Sequence, residues 1–325
     1  MSLLGGYVMT AADWAKTRDP DGKTARVVDM MKTTNQVLED MLLVEGNLPT
    51  GHRTTILSGD PTVTWQKLNY GVQPSKGTWT QVDDTCGRLS ARATVDVELA
   101  RLNGDSDAFM LASQYPFLGA MNKEMATGLF YHDTADDPEK FLGLDPRYPT
   151  LATTNVINAG GAGSDTTSMW LIGWGPDTVH GTFPKGMVAG LKHEYKGIEP
   201  VSDSQTPAGT YYAHVNTWEW RFGLVVRDHR YVVRIGNIET IGTTNIIDPD
   251  LLVDAYYALP STDIMEGRLA FYCNKTVMAQ LSKLAMDKSN GYFTVENIFG
   301  KPVVSFWGIP IRRTDAILNT ETALA

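Results

Sequence analysis

Cysteine is scarce in this chain: 325 residues hold two, Cys86 and Cys273. A disulfide-stapled module needs more, so a reducing compartment, the cytoplasm, is the expected setting. Long apolar runs are missing too. No stretch approaches the roughly 18 apolar residues of a membrane-spanning helix. The opening Met1–Thr10 has no basic cluster of the kind that begins a signal peptide. Positive charge is in deficit, with 28 Lys and Arg against 37 Asp and Glu and a formal net charge of -9. Domains that grip nucleic acid are usually basic. That balance does not exclude a protein that merely encloses nucleic acid, but an acidic wall repels it, so containment would have to be mechanical.

Signatures of catalysis are also absent. The six histidines are His52, His132, His180, His193, His214 and His229, and none is paired at zinc spacing. His193-Glu194 opens like a metalloprotease helix, but position 197 is Gly where a second His is required. Gly160-Gly161-Ala162-Gly163-Ser164-Asp165 lacks the Lys-Ser/Thr ending of a phosphate loop and reads as a turn. Asp19 and Asp21 suggest a calcium loop, yet Lys23 stands at the third ligand position. There is no Gly-x-Ser-x-Gly elbow. Cys86 and Cys273 read as ordinary thiols. The pairs Asp83-Asp84 and Asp136-Asp137 read as solvated acids. No catalytic residue, cofactor site or metal site is assigned.

What is present is an ordinary globular mixture, 42% hydrophobic and 20% charged, with 30 Gly and 16 Pro spread along it. A single core rarely outgrows roughly 250–300 residues, so one large irregular domain or two sub-domains is expected. Thr24–Leu43 has the spacing of an amphipathic helix, with Val27, Met31, Leu38, Met41 and Leu42 near one face, and Ala11–Lys16 suggests a shorter one before it. From His52 to Val97 the chain turns strand-like. Val63 and Trp65 share a face, Gly71–Gly77 is a turn-rich tip, and Trp79 lies on the returning arm. Leu89, Ala91, Ala93, Val95 and Val97 then alternate with polar residues at a period of two. A two-stranded ribbon is marginal alone in water, so a projecting arm needs a surface to lie on, such as a second copy of the chain.

A long helix is predicted over Asp107–Tyr131, with a buried stripe of Leu118, Met121, Met125 and Leu129 and, at Pro116, a kink or the start of a second helical segment. Asp133–Pro149 and Gly197–Gly209 read as loops, and Met169-Trp170-Leu171-Ile172 as a short apolar strand. Tyr211–Ile238 is β-rich, and its Arg221, Arg227, Arg230 and Arg234 interleave with Trp218, Trp220, Phe222 and Tyr231. A stacking surface for nucleic acid is one reading; Glu219 and Asp228 among them favour ion pairs. Asp248–Leu259 reads as a helix. Leu269–Cys273 reads as a strand, Asn274 as the cap of a helix burying Val277, Leu281 and Leu284, and Val303–Arg313 as two strands tightly joined. Strands and helices do not alternate as βαβ units, so the fold class is α+β.

Five segments resemble the major capsid proteins of short-tailed phages of the epsilon-15-like group. They are Leu48–Thr55, Gly71–Lys76, Trp170–Pro176 with Val179–Gly181, Phe271–Asn274 and Gly308–Leu318. The resemblance runs from about Leu4 to Thr320. It implies an HK97-like capsid fold. Residues 1–50 would form the N-terminal arm, 51–82 the extended β-hairpin loop, 83–247 mainly a peripheral domain with its spine helix at 107–131, and 248–325 mainly the axial domain and closing strands. The implied function is a shell subunit, not an enzyme, that self-assembles into hexamers and pentamers of an icosahedral phage head around double-stranded DNA. Portal, scaffolding and decoration proteins are the implied further partners; no membrane is involved. Trp65, Lys67, Val72, Pro74, Lys76 and Trp79 are the expected inter-subunit contacts. Some shells of this fold carry a Lys–Asn link from that loop; Lys67 and Lys76 lie there, and the sequence shows no partner for them. An encapsulin-like compartment and an α+β hydrolase are the alternatives.

Overall fold

The computed structural model describes residues 35–102, 106–202, 209–242, 244–262, 268–286, 293–298 and 301–325; at 106–109, 111–112, 286, 293–298 and 301–304 it describes the backbone alone. A one-turn helix α1 (Val37–Asp40) leads to a short strand β1 (Leu43–Glu45). A hairpin of β2 (Gly51–Gly59) and β3 (Thr78–Thr85) follows, then β4 (Gly87–Asp96) and two helices, α2 (Val97–Arg101) and α3 (Ser106–Tyr131). The middle of the chain supplies β5 (Val156–Asn158), β6 (Thr166–Trp174), β7 (Val179–Phe183), β8 (Leu191–Ser202), β9 (Thr210–Val226) and β10 (Val232–Glu239). Helix α4 (Pro249–Tyr257), strand β11 (Arg268–Cys273), helix α5 (Lys275–Met286) and strands β12 (Phe293–Ile298), β13 (Lys301–Phe306) and β14 (Ile309–Arg313) close it.

Twelve strands join in one mixed sheet along the path β12-β13-β14-β11-β6-β7-β9-β4, with β10 beside β6 and β8 beside β9. Strand β6 lies at its centre and is buried at every position. A strand covered on both faces reads as a continuous apolar run, which is why Met169–Ile172 shows no alternation. Its side chains still point to opposite sides. Trp170, Ile172 and Trp174 enter one core with Leu129 and Phe130 of α3, Phe222 and Leu224 of β9, and Tyr272. Met169 and Leu171 enter a second core with Leu252 of α4, Val277 and Leu281 of α5, and Phe306. Each large side chain fully buried there contributes roughly 1.5–3 kcal/mol of transfer free energy.

The helices begin where local chemistry favours it. Asp96 caps α2 by accepting from the Glu98 amide at 2.8 Å. Asp248 caps α4, with Pro249 in its first turn. The Asn274 side-chain oxygen accepts from the amides of Thr276 and Val277, both at 3.0 Å, and starts α5 as expected. On the far side, β4, β9 and β8 make a long ribbon over α3. There Ala93, Met121 and Trp218 form a small core, and the Phe117 ring stacks on Trp218 at 5.6 Å.

Two buried polar networks fasten α1 and the segment after β14 to this sheet. The Trp174 indole donates to the Tyr272 hydroxyl at 2.8 Å, and that hydroxyl donates to Asp40 of α1 at 3.0 Å. Burial and the Asp40 charge raise the Tyr272 pKa, so its proton stays. Arg312 meets the same carboxylate at 3.2 Å. In the second, Glu321 accepts from Ser168, Tyr131 and Arg234. Asn237 sits at a β-bulge with φ of +60°, a left-handed value that asparagine tolerates. Its side chain exchanges hydrogen bonds with the backbone of Leu324.

Several expectations need correction. The Thr24–Leu43 helix lies mostly outside the described residues, and Ala11–Lys16 wholly so. In the described part, helix is confined to Val37–Asp40, and Leu43 begins β1, which pairs with β7. Tertiary pairing outweighs a helical pattern there. Helix α3 runs unbroken through Pro116, and Leu118 is exposed while Met121, Met125 and Leu129 are buried. Strand β4 ends at Asp96, so Val97 opens a helix. The predicted loop over Gly197–Gly209 is strand as far as Ser202. Exposed edge strand β8 carries charges and Pro200, which hid its β character. Strand β12 was not anticipated.

Candidate functional site

Strands β2 and β3 form a two-stranded sheet of their own that shares no ladder with the twelve-stranded one. The register runs antiparallel from Gly51 opposite Thr85 to Leu57 opposite Trp79, then shifts at a bulge to Gly59 opposite Thr78. The base is tightly tied. Cys86 donates its amide to the Thr50 carbonyl at 2.9 Å, and Asn47 exchanges two hydrogen bonds with the Arg53 backbone at 2.7 and 2.8 Å. Arg53 grips Asp83 across the strands with two contacts of 2.6 Å, which hold the Asp83 carboxyl below its usual range. A Cβ on Gly51 would lie 2.0 Å from the Asp84 carbonyl oxygen, so the strands approach there more closely than any larger residue permits.

Beyond Gly59 the pairing stops. Residues 60–77 are a loop, closed by a turn at Lys67–Tyr70 in which Asn69 has φ of +68°. Val63 and Trp65, expected on a strand, belong to this loop. Ser75 donates to the Thr62 carbonyl at 2.7 Å and holds its two sides together. Bulky apolar groups crowd the arm while water surrounds them. Trp65 is 99% exposed, Leu68 94%, Val63 90%, Tyr70 70%, Trp79 69%, Val72 52% and Leu57 44%. Lys67, Pro74 and Lys76 are exposed on the same loop. An apolar group this large marks a surface meant to be covered. Leu57, Leu68 and Tyr70 were not singled out from sequence. Their signal was present: aliphatic and aromatic residues in a segment whose Gly and Pro already excluded a core.

The arm meets the body at its base. There Asp84 of β3 accepts from Arg147 at 2.7 Å, and Arg147 also donates to the Leu224 carbonyl at 3.2 Å. His52 of β2 packs edge-to-face on His180 of β7, with centroids 5.6 Å apart. Burial lowers both imidazole pKa values, and Arg227 adds to this; His180, which also faces His52, is pushed down to about 4.

The interleaved arginines are committed elsewhere. Arg221 pairs with Glu219, Arg227 with Asp177, Arg230 with Asp228, and Arg234 with Asp145 and Glu321. Trp218 and Phe222 are buried. This ribbon therefore offers no free cation-and-aromatic face at those positions. A shallow groove of about 330 Å³ on the open face of the ribbon is lined by Arg88, Arg92, Lys192, Lys196, Glu194 and Glu219, which pair among themselves and with neighbouring acids. Gly160 and Gly163 have positive φ in the turn that leads into β6. Among the described residues, no group of three or more His, Cys, Asp or Glu is arranged to hold a metal.

A family model, major capsid protein GP7, matches residues 19–325. The chain belongs to the major capsid protein GP7 family. Its fold is also that of the chain in a near-atomic cryo-EM structure of bacteriophage epsilon15, which is 36% identical, covers 100% of this chain and 99% of that one, and superposes with a TM-score of 0.77. This capsid protein is thus a phage major capsid protein with the HK97-like fold. More distant structures include the capsid of a native GTA particle, at 10% identity over 70% of this chain and 97% of that one with a TM-score of 0.44. The SrpI encapsulin of Synechococcus elongatus PCC 7942 stands at 9% identity over 71% and 96%, also with a TM-score of 0.44. No curated protein matches significantly. The capsid protein is a component of the virion and associates with copies of itself. Among its described residues, no helix is long and apolar enough to cross a membrane.

Proposed function

We propose that this capsid protein builds the hexamers and pentamers of an icosahedral head around double-stranded DNA, and that the β2–β3 arm is the extended loop that covers a neighbouring subunit. The observation that supports this is the bare apolar arm: Trp65 at 99% exposure and Trp79 at 69% stand on a ribbon without a core of its own. In the assembled shell Trp65, Val72, Pro74 and Trp79 make apolar contacts with the neighbour, and Lys67 and Lys76 lie at their rim. Heterologous contacts of this kind close into rings, and buried aromatic anchors carry most of the binding free energy at such interfaces.

In this reading, residues 1–50 are the N-terminal arm, 51–82 the extended loop, 83–247 mainly the peripheral domain with its spine helix, and 248–325 mainly the axial domain. The protein acts as a wall, without enzymatic activity. Assembly takes place in the host cytoplasm with portal and scaffolding proteins, and a decoration protein occupies the outer surface. Negative-stain microscopy and sedimentation of the purified protein test the proposal. Closed shells or rings of five and six are expected from the native chain, and neither from a chain whose loop 61–76 is replaced by a short Gly-Ser linker. Shells from the shortened chain would remove the arm from the assembly surface.

A further inference from the structure

The joint between arm and body concentrates an unusual defect. Both ring nitrogens of His52, the hydroxyls of Thr54 and Thr182 and one oxygen of Asp84 are buried there without a hydrogen-bond partner within the chain, and the buried His180 ring faces only the Gly175 backbone as a partner. His180 and Thr182 are 0% exposed, Asp84 4%, Thr54 5% and His52 9%. Burying polar atoms unpaired is unfavourable, and proteins rarely accept it in one place without a reason. Among the other described residues such atoms are scattered singly, at His132, Trp170, Tyr211, Asn216 and Arg312, whereas the joint gathers several in one place.

We propose that this joint is an acid-sensitive latch, closed while His52 and His180 are both neutral and released when either takes up a proton. Neutral imidazoles can lie edge-to-face, as these do at an interplanar angle of 87°. An imidazolium beside a second one, or beside a guanidinium, cannot stay buried at that distance.

The charged and titratable neighbours decide how the latch works. Asp84 faces the pair from β3, Arg227 from the end of β9, and Asp177 from the β6–β7 turn. Arg147 approaches from the Asp145–Arg147 turn, and Cys86 lies beside Thr182 at the β3–β4 junction. Arg147 occupies one oxygen of Asp84, and Arg227 is held by Asp177 at 2.8 Å. The unpartnered Asp84 oxygen remains, and Asp84 stands directly opposite His52 in the hairpin register. A proton on His52 therefore draws that ring toward Asp84 and away from His180. A proton on His180 meets Arg227 and His52, and the ring must leave its packing to reach water. Either event parts β2 from β7. Because β2 and β3 share no ladder with the body, the arm loosens as a unit and the sheet stays intact.

Backbone hydrogen exchange of the purified capsid protein tests this, corrected for intrinsic exchange chemistry and followed from about pH 7.5 to about pH 5. The expected result is a rise of about tenfold or more in exchange of peptides 51–59 and 78–85, with peptides 166–174 and 268–273 unchanged. His52→Phe and His180→Phe keep an aromatic ring and remove the titration, so each should blunt the response. If these variants fold poorly, imidazole C2–H exchange in the native chain reads both rings directly and should place them below the ordinary histidine value. The latch is overturned by an arm that stays protected at low pH, by variants that respond like the native chain, by an acid response shared with the sheet peptides, or by imidazoles that titrate normally. The measurement concerns one chain's own joint, so it succeeds or fails separately from the arm's proposed role in the shell.

Discussion

Arg234 and Glu321 meet at 3.2 Å inside the molecule, with side-chain exposures of 2% and 8%. The guanidinium comes from strand β10, beside β6, and the carboxylate from the segment that follows β14. Arg234 also lies over the Trp170 ring at 4.9 Å and reaches Asp145 at 2.7 Å. The segment that follows β14 is thus tied into the core.

Breaking that pair should be costly. Arg234→Met leaves Glu321 buried without its cation, and Glu321→Ala strands Arg234 between fewer partners. Each should lower unfolding stability by about 3–5 kcal/mol. The double variant should lose less than the sum of the two. Chemical denaturation of unassembled subunits measures all three, and simple additivity would mean that the pair is not coupled.

Trp65→Ala and Trp79→Ala should behave oppositely. Both side chains are exposed in the isolated chain, so its unfolding stability should change by no more than about 0.5 kcal/mol. If each anchors a neighbour at about 2 kcal/mol, the concentration needed for assembly should rise roughly 30-fold per variant. Light scattering against protein concentration reads this. An unchanged threshold would show that the arm's aromatics stay bare in the shell.

Acid should weaken the fold through His180. Its imidazole is neutral when folded, with a pKa pushed down to about 4 from the ordinary 6.5. Above pH 6.5 neither folded nor unfolded chain carries the proton, and the group contributes nothing to pH dependence. Between 6.5 and 4 only the unfolded chain binds it, so stability falls as pH falls, and below 4 the loss levels off. The whole span corresponds to about 3 kcal/mol at most. Denaturation midpoints of the native chain and His180→Phe across this window should converge at high pH and diverge at low pH.

The thiols should be sluggish. Burial, with Asp84 nearby, pushes Cys86 up to about 11, and burial pushes Cys273 up to about 12. At neutral pH almost no thiolate forms, and Cys273 is fully enclosed. Alkylation with iodoacetamide should be slow in the folded chain and rapid for both residues in denaturant. Fast native labelling at Cys86 would show that the hairpin base opens readily.

Much of the architecture was legible in local pattern. Asn274 announced its helix because a cap needs only a side chain two or three residues from its amides. Strand β4 showed its alternation because one face is wet. The long helix and the hairpin stood out by length, spacing and turn residues. The epsilon-15-like motifs, spread over nearly the whole chain, pointed to the capsid family that the comparisons then supported.

Other features depended on partners distant in sequence. Leu43 left a helical pattern for β1 because β7, far along the chain, offered a parallel edge. Strand β8 is charged and exposed, and only its pairing along β9 makes it a strand. Arg234 seemed one of four similar arginines until folding buried it against Glu321, 87 residues later. His52 and His180 were two of six histidines with no assigned partner until β2 and β7 brought their rings together. Residue type and short-range spacing determined where helices start, which strands have one wet face and which family the chain resembles, since these depend on atoms only a few bonds apart. The tertiary structure decided which charges pair, which aromatics stay bare and which histidines touch, because burial and contact are properties of positions that the sequence separates and only the folded chain joins.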